Sequence, residues 1–162
     1  MSVPIAVSSI AWTLFAAAGE EIGWRGYALP RLQATKSALF SSLLIGALWG
    51  LWHLTGGRQS MRGLQIVNFT SWVLLDSILI TWVYNSTHGS LLMTWLFHAA
   101  HNGSVHFLPY SVTTPSRLAG PIGFLIRWIV VLVVIRVEGW RHLARVPVSE
   151  AGAAPATPSL IE

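Results

Sequence analysis

Two adjacent glutamates and an arginine follow the first long apolar run of the chain, in the stretch "GEEIGWRGYALPRLQ" from Gly19 to Gln33. Glu21 and Arg25 are four residues apart, so on a helix they share one face, where a carboxylate and a guanidinium can pair. Glu20 lies about 100° away around the same helix and has no such partner nearby in the sequence. The spacing therefore predicts a structural Glu21–Arg25 pair and leaves Glu20 as the acid that is available for chemistry. The alternative is that all three side chains extend from the helix end into lipid headgroups.

Histidines mark two further apolar segments. The stretch "ALWGLWHL" ends in His53, with Trp49 one turn earlier, and "TWLFHAAHNGSVHF" contains His98, His101 and Asn102. His98 and Asn102 are four residues apart and project from one helical face, with His101 on a neighbouring edge. A single histidine at a helix end commonly bonds to the backbone, and polar residues on membrane helices also serve as interhelical hydrogen-bonding groups.

These residue types fit the hydrolysis of an amide bond if the helices bring them together. A carboxylate can act as the general base for water, while an imidazole orients that water or binds a metal ion. A second imidazole and a carboxamide can donate hydrogen bonds to the oxyanion of a tetrahedral intermediate. The chain has no cysteine and no HExxH pair, and it places no serine convincingly as a nucleophile. Activation of water is therefore the chemistry that the pattern favours.

The composition places these groups in a membrane. The 162 residues are 53% hydrophobic and 10% charged, against roughly 25% charged residues in soluble domains. Nine tryptophans suit the interfaces of a bilayer. The net charge is +4 and the arginines are scattered between apolar blocks, which favours a membrane topology signal over a nucleic-acid surface. We therefore predict an all-α, polytopic transmembrane helical bundle of about five spans.

Five apolar segments are long enough, or nearly so, to supply these spans. The first runs from Val3 to Ala18 with a helical continuation through Tyr27, and Pro30 is expected to end it. The others are Ser37 to Leu54, Leu64 to Tyr84, about Ser90 to Phe107, and about Ala119 to Val137. We predict one core domain over residues 1–145 and a disordered, Ala/Pro-rich tail over residues 146–162. Asp76, an acid within the third segment, is assigned together with His101 to a supporting or a packing position.

The three polar stretches resemble the motifs of the CPBP family of intramembrane proteases. That family includes the type II CAAX prenyl endopeptidases and bacteriocin-processing, self-immunity and lysostaphin-resistance-like proteins. Its EExxxR motif is matched by Glu20–Arg25, and its HxxxN motif by His98–Asn102. Its FxxxH motif is matched by Trp49–His53, with tryptophan in place of phenylalanine. The three motifs occur in the family's order and together cover about residues 19–102.

The resemblance implies a role for each matching residue. Glu20 would be the base, His53 would help to polarise the attacking water, and His98 and Asn102 would form the oxyanion hole. The implied site comprises catalytic Glu20, His53, His98 and Asn102, with Glu21, Arg25 and Trp49 in supporting positions. A zinc ion on Glu20, His53 and His98 and a metal-free Glu/His mechanism both remain open, because one carboxylate and two imidazoles can ligate zinc with a water.

The resemblance also predicts where the protein acts and on what. We expect a multi-pass protein of a bacterial plasma membrane that contacts bilayer lipid, cleaves membrane-associated or lipid-modified peptides and proteins, and binds no nucleic acid. Members of the family usually carry further membrane helices before the first motif, where this chain has eighteen residues, so we expect a short or truncated member. Two alternatives are a non-catalytic relative that acts as a scaffold or immunity factor, and a small proton-coupled transporter that uses Glu20, Asp76 and the histidines.

Overall fold

The computed structural model describes residues 3–55, 61–107 and 119–145, and within these ranges the chain is helical and contains no strand. The helices are α1 (Val3–Gly23), α2 (Leu29–Gln33), α3 (Ala38–Thr55), α4 (Leu64–Ser86), α5 (Leu91–Phe107) and α6 (Ala119–Glu138), and a π-helical turn, Trp24–Ala28, joins α1 to α2. The all-α prediction is confirmed. The predicted tail, residues 146–162, lies outside the described ranges.

The prediction that Pro30 ends the first helix is wrong. The helical path continues through the π-helical turn and α2 to Gln33. In the turn, the N–H of Leu29 donates to the carbonyl of Trp24, five residues back, so the hydrogen-bond register changes before the proline. Pro30, which has no N–H to donate, then follows in the first turn of α2. The π-helical turn also contains Arg25, which is buried.

Helix α4 lies at the centre of the bundle, in contact with α3, α5 and α6, while α1 packs against α5. Leu75, Ile78 and Leu79 on α4 are buried against Val131 and Val134 on α6. Because α4 is covered on several sides, its apolar residues do not follow one helical stripe. Of the motif helices, α3 and α5 therefore share α4 as a buried neighbour, and α1 is held against α5.

The segment that follows α6 caps the start of α3. The N–H of Ala38 donates to the carbonyl of Arg141 at 2.8 Å, and that of Leu39 donates to the carbonyl of Trp140 at 3.1 Å. The first N–H groups of a helix have no partner within it, so these bonds satisfy two of them. Asn85 at the end of α4 donates to the carbonyl of His142 at 2.6 Å. Residues 140–142 are thus hydrogen-bonded to both α3 and α4.

Gly46 allows α3 and α4 to approach closely. A Cβ at this position would lie 3.0 Å from the Cβ of Ser77 and 3.2 Å from the Cα of Leu74. Gly46→Ala is therefore expected to lower the free energy of unfolding by about 1–3 kcal/mol, because the backbone of α4 must shift. Gly50→Ala is the matched control, since its Cβ would come no closer than 3.6 Å to Thr70. Thermal unfolding in detergent measures both variants, and an equal loss in both would contradict the prediction.

Two of the long helices meet the length and composition of a membrane span. They are α3, Ala38–Thr55, and α4, Leu64–Ser86. Helix α6 adds a face of exposed apolar side chains, which suits contact with hydrocarbon. These side chains are Ile122, Leu125, Ile126, Ile129, Leu132 and Val133. The helical membrane bundle is thereby supported, while a count of five spans stays a prediction.

Candidate active site

Glu20, in the last turn of α1, is joined to α3 by a short hydrogen bond. The indole Nε1–H of Trp49 donates to its Oε2 at 2.6 Å. An indole N–H can only donate, so the Glu20 carboxyl is the acceptor. Glu20 is half-buried, whereas Trp49 is 4% exposed. The acid that lacks a partner in the local sequence therefore has one on a different helix.

Trp49 also contacts the other motif residues. Its ring centroid lies 5.6 Å from that of His53 and 5.1 Å from that of His98, both in edge-on arrangements. The guanidinium carbon of Arg25 lies 5.3 Å from the same centroid, within the range of a cation–π contact. One indole thus touches a residue from each of the three motifs. The predicted convergence of α1, α3 and α5 is present in the structure.

His53 bonds to the backbone of its own helix. Its Nδ1 lies 3.0 Å from the carbonyl oxygen of Trp49. A carbonyl only accepts, so Nδ1 carries the proton, and Nε2 of the neutral ring remains an acceptor. The ring also contacts Trp52 and Phe69, with centroids 5.0 and 5.7 Å away. The backbone bond expected for a histidine at a helix end is thus present, and it leaves one nitrogen for a water molecule.

His98 is fixed by the buried ion pair of the first motif. Arg25 Nη1 lies 3.1 Å from Glu21 Oε1, which confirms the predicted pair. His98 Nδ1 lies 2.8 Å from the same oxygen. All three residues are at most 1% exposed, so Glu21 and Arg25 do not extend into the headgroups. The spacing in the sequence predicted the ion pair, but it did not predict the contact of Glu21 with His98, which lies 77 positions later.

Contacts to α4 complete the buried network around Arg25. Its Nη2 lies 3.4 Å from both the carbonyl oxygen and the hydroxyl of Ser77, and that hydroxyl donates to the carbonyl of Ser42 at 2.7 Å. The Oε2 of Glu21 and the Nε of Arg25 are buried without a hydrogen-bond partner among the described residues. Burial of these charged groups costs free energy of desolvation. Removal of either the guanidinium or the carboxylate would leave the other charge buried without its partner.

Asn102 lies one helical turn after His98 on α5 and is half-buried. Its position agrees with the shared helical face expected from the i,i+4 spacing. The predicted catalytic residues thus fall into two groups. Glu20, His53 and His98 all contact Trp49, and Asn102 follows on the same helix as His98.

A cavity of about 550 Å³ opens beside Glu20. Its lining is apolar apart from this carboxyl, and consists of Phe15, Ala16, Gly19, Glu20, Gly23, Trp24 and Trp52. His53 and His98 are not among the lining residues; they contact the ring of Trp49 instead. The size and lining suit an apolar chain or apolar peptide side chains next to one acid.

The predicted zinc ligands do not form a metal site in the described part of the chain. There, no group of three His, Asp or Glu side chains is arranged to hold a metal ion. One oxygen of Glu20 accepts the bond from Trp49, and the Nδ1 atoms of His53 and His98 are bonded to a carbonyl and to Glu21. These bonds involve one oxygen of Glu20 and only the Nδ1 atoms of the two histidines, and a histidine that binds a metal through Nε2 usually donates its Nδ1–H in this way. Zinc on Glu20, His53 and His98 therefore stays a prediction.

A second polar cluster includes a residue that the sequence analysis did not single out. Arg127 on α6 lies 2.8 Å from Asp76 on α4, and His101 on α5 lies 3.3 Å from the same carboxyl group. Asp76 and His101 were predicted to be supporting or packing residues, and no role was predicted for Arg127. The available signal was the position of Arg127 in the middle of an apolar segment, where a charge is rarely left without a partner.

Comparison with known proteins agrees with this geometry. Residues 2–104 match the family described as type II CAAX prenyl endopeptidase Rce1-like. The chain is also 39% identical over 80 residues to the CAAX prenyl protease 2 of Methanococcus maripaludis, an alignment that covers 43% of this chain and 29% of that protein. The chain therefore spans less than a third of the length of this curated relative. No solved structure matches. The family match covers more than half of the chain and includes all three motifs, and the chain belongs to the type II CAAX prenyl endopeptidase Rce1-like family.

Proposed function

We propose that this protein is an intramembrane endopeptidase that hydrolyses peptide bonds of membrane-associated or lipid-modified substrates, with water activated by Glu20. The observation that carries the proposal is the position of Glu20. Its carboxylate borders an apolar cavity of about 550 Å³ and is held by Trp49, whose ring contacts both His53 and His98. A carboxylate beside an apolar cavity is partly desolvated, and desolvation strengthens its interaction with a bound water.

In the proposed reaction, Glu20 takes a proton from water as the water oxygen attacks the carbonyl carbon of the substrate. His53 orients the water through Nε2, since its Nδ1 is bonded to the backbone. The carbonyl oxygen becomes the oxyanion of a tetrahedral intermediate. The proton held by Glu20 then passes to the amide nitrogen, the carbon–nitrogen bond breaks, and the carboxylate is regenerated. Each step uses a group that the bundle already holds close to Trp49.

The role of His98 as an oxyanion donor requires a particular protonation state. Its Nδ1–H is directed to the Glu21 carboxylate, so only Nε2 remains for the substrate. Nε2 donates a hydrogen bond when the ring is an imidazolium and accepts one when the ring is neutral. Stabilisation of the oxyanion is therefore assigned to a charged His98 supported by Glu21, together with the amide of Asn102.

The chemistry of the cavity suggests the substrate class. An apolar lining with one carboxyl suits a lipid chain or apolar side chains next to the scissile bond. The name of the Methanococcus relative, a CAAX prenyl protease, supports a lipid-modified peptide. We propose a multi-pass location in a bacterial plasma membrane, in contact with bilayer lipid. Zinc on Glu20, His53 and His98 stays a prediction for experiment to test.

Cleavage of a quenched, lipid-tagged peptide library by the purified protein in detergent tests the proposal. The arms are wild type, Glu20→Gln, and wild type with a chelator, with products identified by mass spectrometry. Cleavage by wild type that is lost in Glu20→Gln supports the proposal, and persistence of cleavage in the chelator supports the metal-free route. Full cleavage by Glu20→Gln, or no cleavage of any library member by wild type, would overturn it, and the latter would favour a non-catalytic relative.

The hydrogen bond from Trp49 gives a separate prediction. Trp49→Phe keeps an aromatic ring but removes the donor to Glu20. A hydrogen bond to a charged group contributes about 1.5–3 kcal/mol, so kcat is expected to fall about ten- to a hundredfold. KM should change little, because Trp49 does not line the cavity. Trp82→Phe is the matched control, since the buried Nε1 of Trp82 makes no hydrogen bond with the described residues. Equal kcat values for the two variants would show that the bond does not position the base.

A further inference from the structure

Three side chains from three helices form a closed polar cluster away from Trp49. Arg127 Nε on α6 donates to Asp76 Oδ1 on α4 at 2.8 Å, and His101 Nδ1 on α5 lies 3.3 Å from Asp76 Oδ2. An Nη atom of Arg127 also contacts Nε2 of His101. The guanidinium carbon lies 4.2 Å from the ring centroid of Trp72. Each pair of cluster members is in contact, so the cluster joins α4, α5 and α6.

The hydrogen-bonding chemistry of the cluster is determined by the arginine. A guanidinium has no acceptor, so Nε2 of His101 accepts from Arg127 and the proton of the ring is on Nδ1. That Nδ1–H then donates to Asp76. The carboxylate and the guanidinium cancel in charge, and the neutral ring joins them. Such a cluster suits a fixed connection between helices better than the binding of a charged ligand.

The position of His101 connects this cluster to the candidate active site. On α5, His101 lies about 60° from His98 around the helix axis, and Asn102 lies about 40° from His98 on the other side. His98 ties α5 to α1 through Glu21, and His101 ties α5 to α4 and α6. The rotation of α5 about its axis is thus determined from two directions. Loss of either connection would allow His98 and Asn102 to turn away from the site.

Arg127 lies beyond residues 2–104, the part of the chain that matches the family. The geometry therefore points to a contribution of α6 that the motifs do not include. We propose that Asp76, His101 and Arg127 are positioning residues, which set the rotation of α5 and so hold His98 and Asn102 where the oxyanion forms. This inference rests on the proposed function.

The kinetic test separates positioning from general stability. Arg127→Leu leaves Asp76 buried without its cation, so it is expected to lose both stability and turnover. In Asp76→Leu/Arg127→Leu both charges are removed, which should return much of the stability. Its kcat should still be about ten- to a hundredfold below wild type, because a small misplacement of a catalytic group has effects of this order. KM should stay near the wild-type value, since no cluster residue lines the cavity.

Substitutions of His101 test the connection itself. Gln can accept from Arg127 and donate to Asp76, so His101→Gln should keep kcat near that of wild type, whereas His101→Leu should lower kcat like the double variant. The exposed Arg136 on α6 provides the control Arg136→Leu, which should leave kcat and stability unchanged. A wild-type kcat in the folded double variant, or in His101→Leu, would overturn the proposal.

A labelling experiment reports the rotation of α5 without any activity assay. The chain contains no cysteine, so a single introduced cysteine is the sole target of a maleimide. Ala99 is buried and Ala100 is exposed on α5. Ala99→Cys should react slowly in the otherwise wild-type chain and several times faster when Asp76→Leu/Arg127→Leu is added. Ala100→Cys should react readily in both.

The two readouts distinguish the possible failures. If wild type cleaves no peptide but Ala99→Cys becomes reactive in the double variant, the proposed function fails and the positioning of α5 by the cluster is retained. If wild type cleaves peptides but the labelling of Ala99→Cys and the kcat of the folded double variant are unchanged, the positioning role fails and the proposed function is retained.

Discussion

Glu20→Gln is expected to reduce kcat for peptide cleavage by about 10²–10⁴-fold, the usual contribution of a general base. Gln cannot take a proton from water at neutral pH. Its amide oxygen can still accept the hydrogen bond from Trp49, and the residue is half-buried at the border of the cavity. The free energy of unfolding should therefore stay close to that of wild type. Initial-rate kinetics and thermal unfolding in the same detergent measure both quantities.

The neighbouring residue supplies a control with the same chemical change. Glu21→Gln also replaces a carboxylate by an amide, one position along the helix. If both substitutions reduced turnover with no loss of stability, the assignment of separate roles to Glu20 and Glu21 would be wrong. A wild-type kcat for Glu20→Gln would exclude Glu20 as the base.

Glu21→Gln is expected to have the largest effect on stability. Glu21 is 1% exposed and its Oε1 contacts both Arg25 and His98. Removal of one partner from a buried ion pair destabilises a protein by about 3–5 kcal/mol, because the remaining charge is left buried without compensation. Turnover should fall as well, since His98 loses the carboxylate that holds its ring in place. The midpoint of thermal unfolding in detergent, compared with that of Glu20→Gln, measures the difference.

A double variant tests whether the unpaired charge is the cause. Glu21→Gln/Arg25→Met removes both charges, so it should be more stable than Glu21→Gln alone. Activity should not return, because His98 still lacks the carboxylate. A double variant that is less stable than the single one would contradict this explanation and would show that Arg25 is held mainly by Ser77 and the ring of Trp49.

The two adjacent glutamates have different environments because of the helical geometry around them. Successive residues on a helix point about 100° apart, so one carboxyl of the pair meets Arg25 inside the bundle and the other borders the cavity. Arg25, the partner of Glu21, lies in the π-helical turn, Trp24–Ala28. Irregular turns of this kind occur frequently at functional sites, and here the turn also accommodates Pro30.

The sequence alone determined that the chain is helical and the approximate bounds of the four later helices. Runs of apolar residues with few charges require helices in a bilayer, because each backbone group must be hydrogen-bonded within its own segment. The four later segments were predicted within two residues of the observed bounds of α3, α4, α5 and α6. The Glu21–Arg25 pair was also predictable, since a separation of four residues is a local property of a helix. The motif order was sufficient to identify the family.

Only the tertiary structure decided which distant groups meet. The bond between Trp49 and Glu20 joins residues 29 positions apart, and the bond between His98 and Glu21 joins residues 77 positions apart. Such pairings depend on the rotation and the crossing of whole helices, about which local periodicity carries no information. The continuation of the helix through Pro30 likewise depends on the π-helical turn, in which the N–H of Leu29 bonds to the carbonyl five residues back instead of four. The contacts of Arg127 with Asp76 and His101 join three different helices. The sequence of any one of these helices therefore does not predict them.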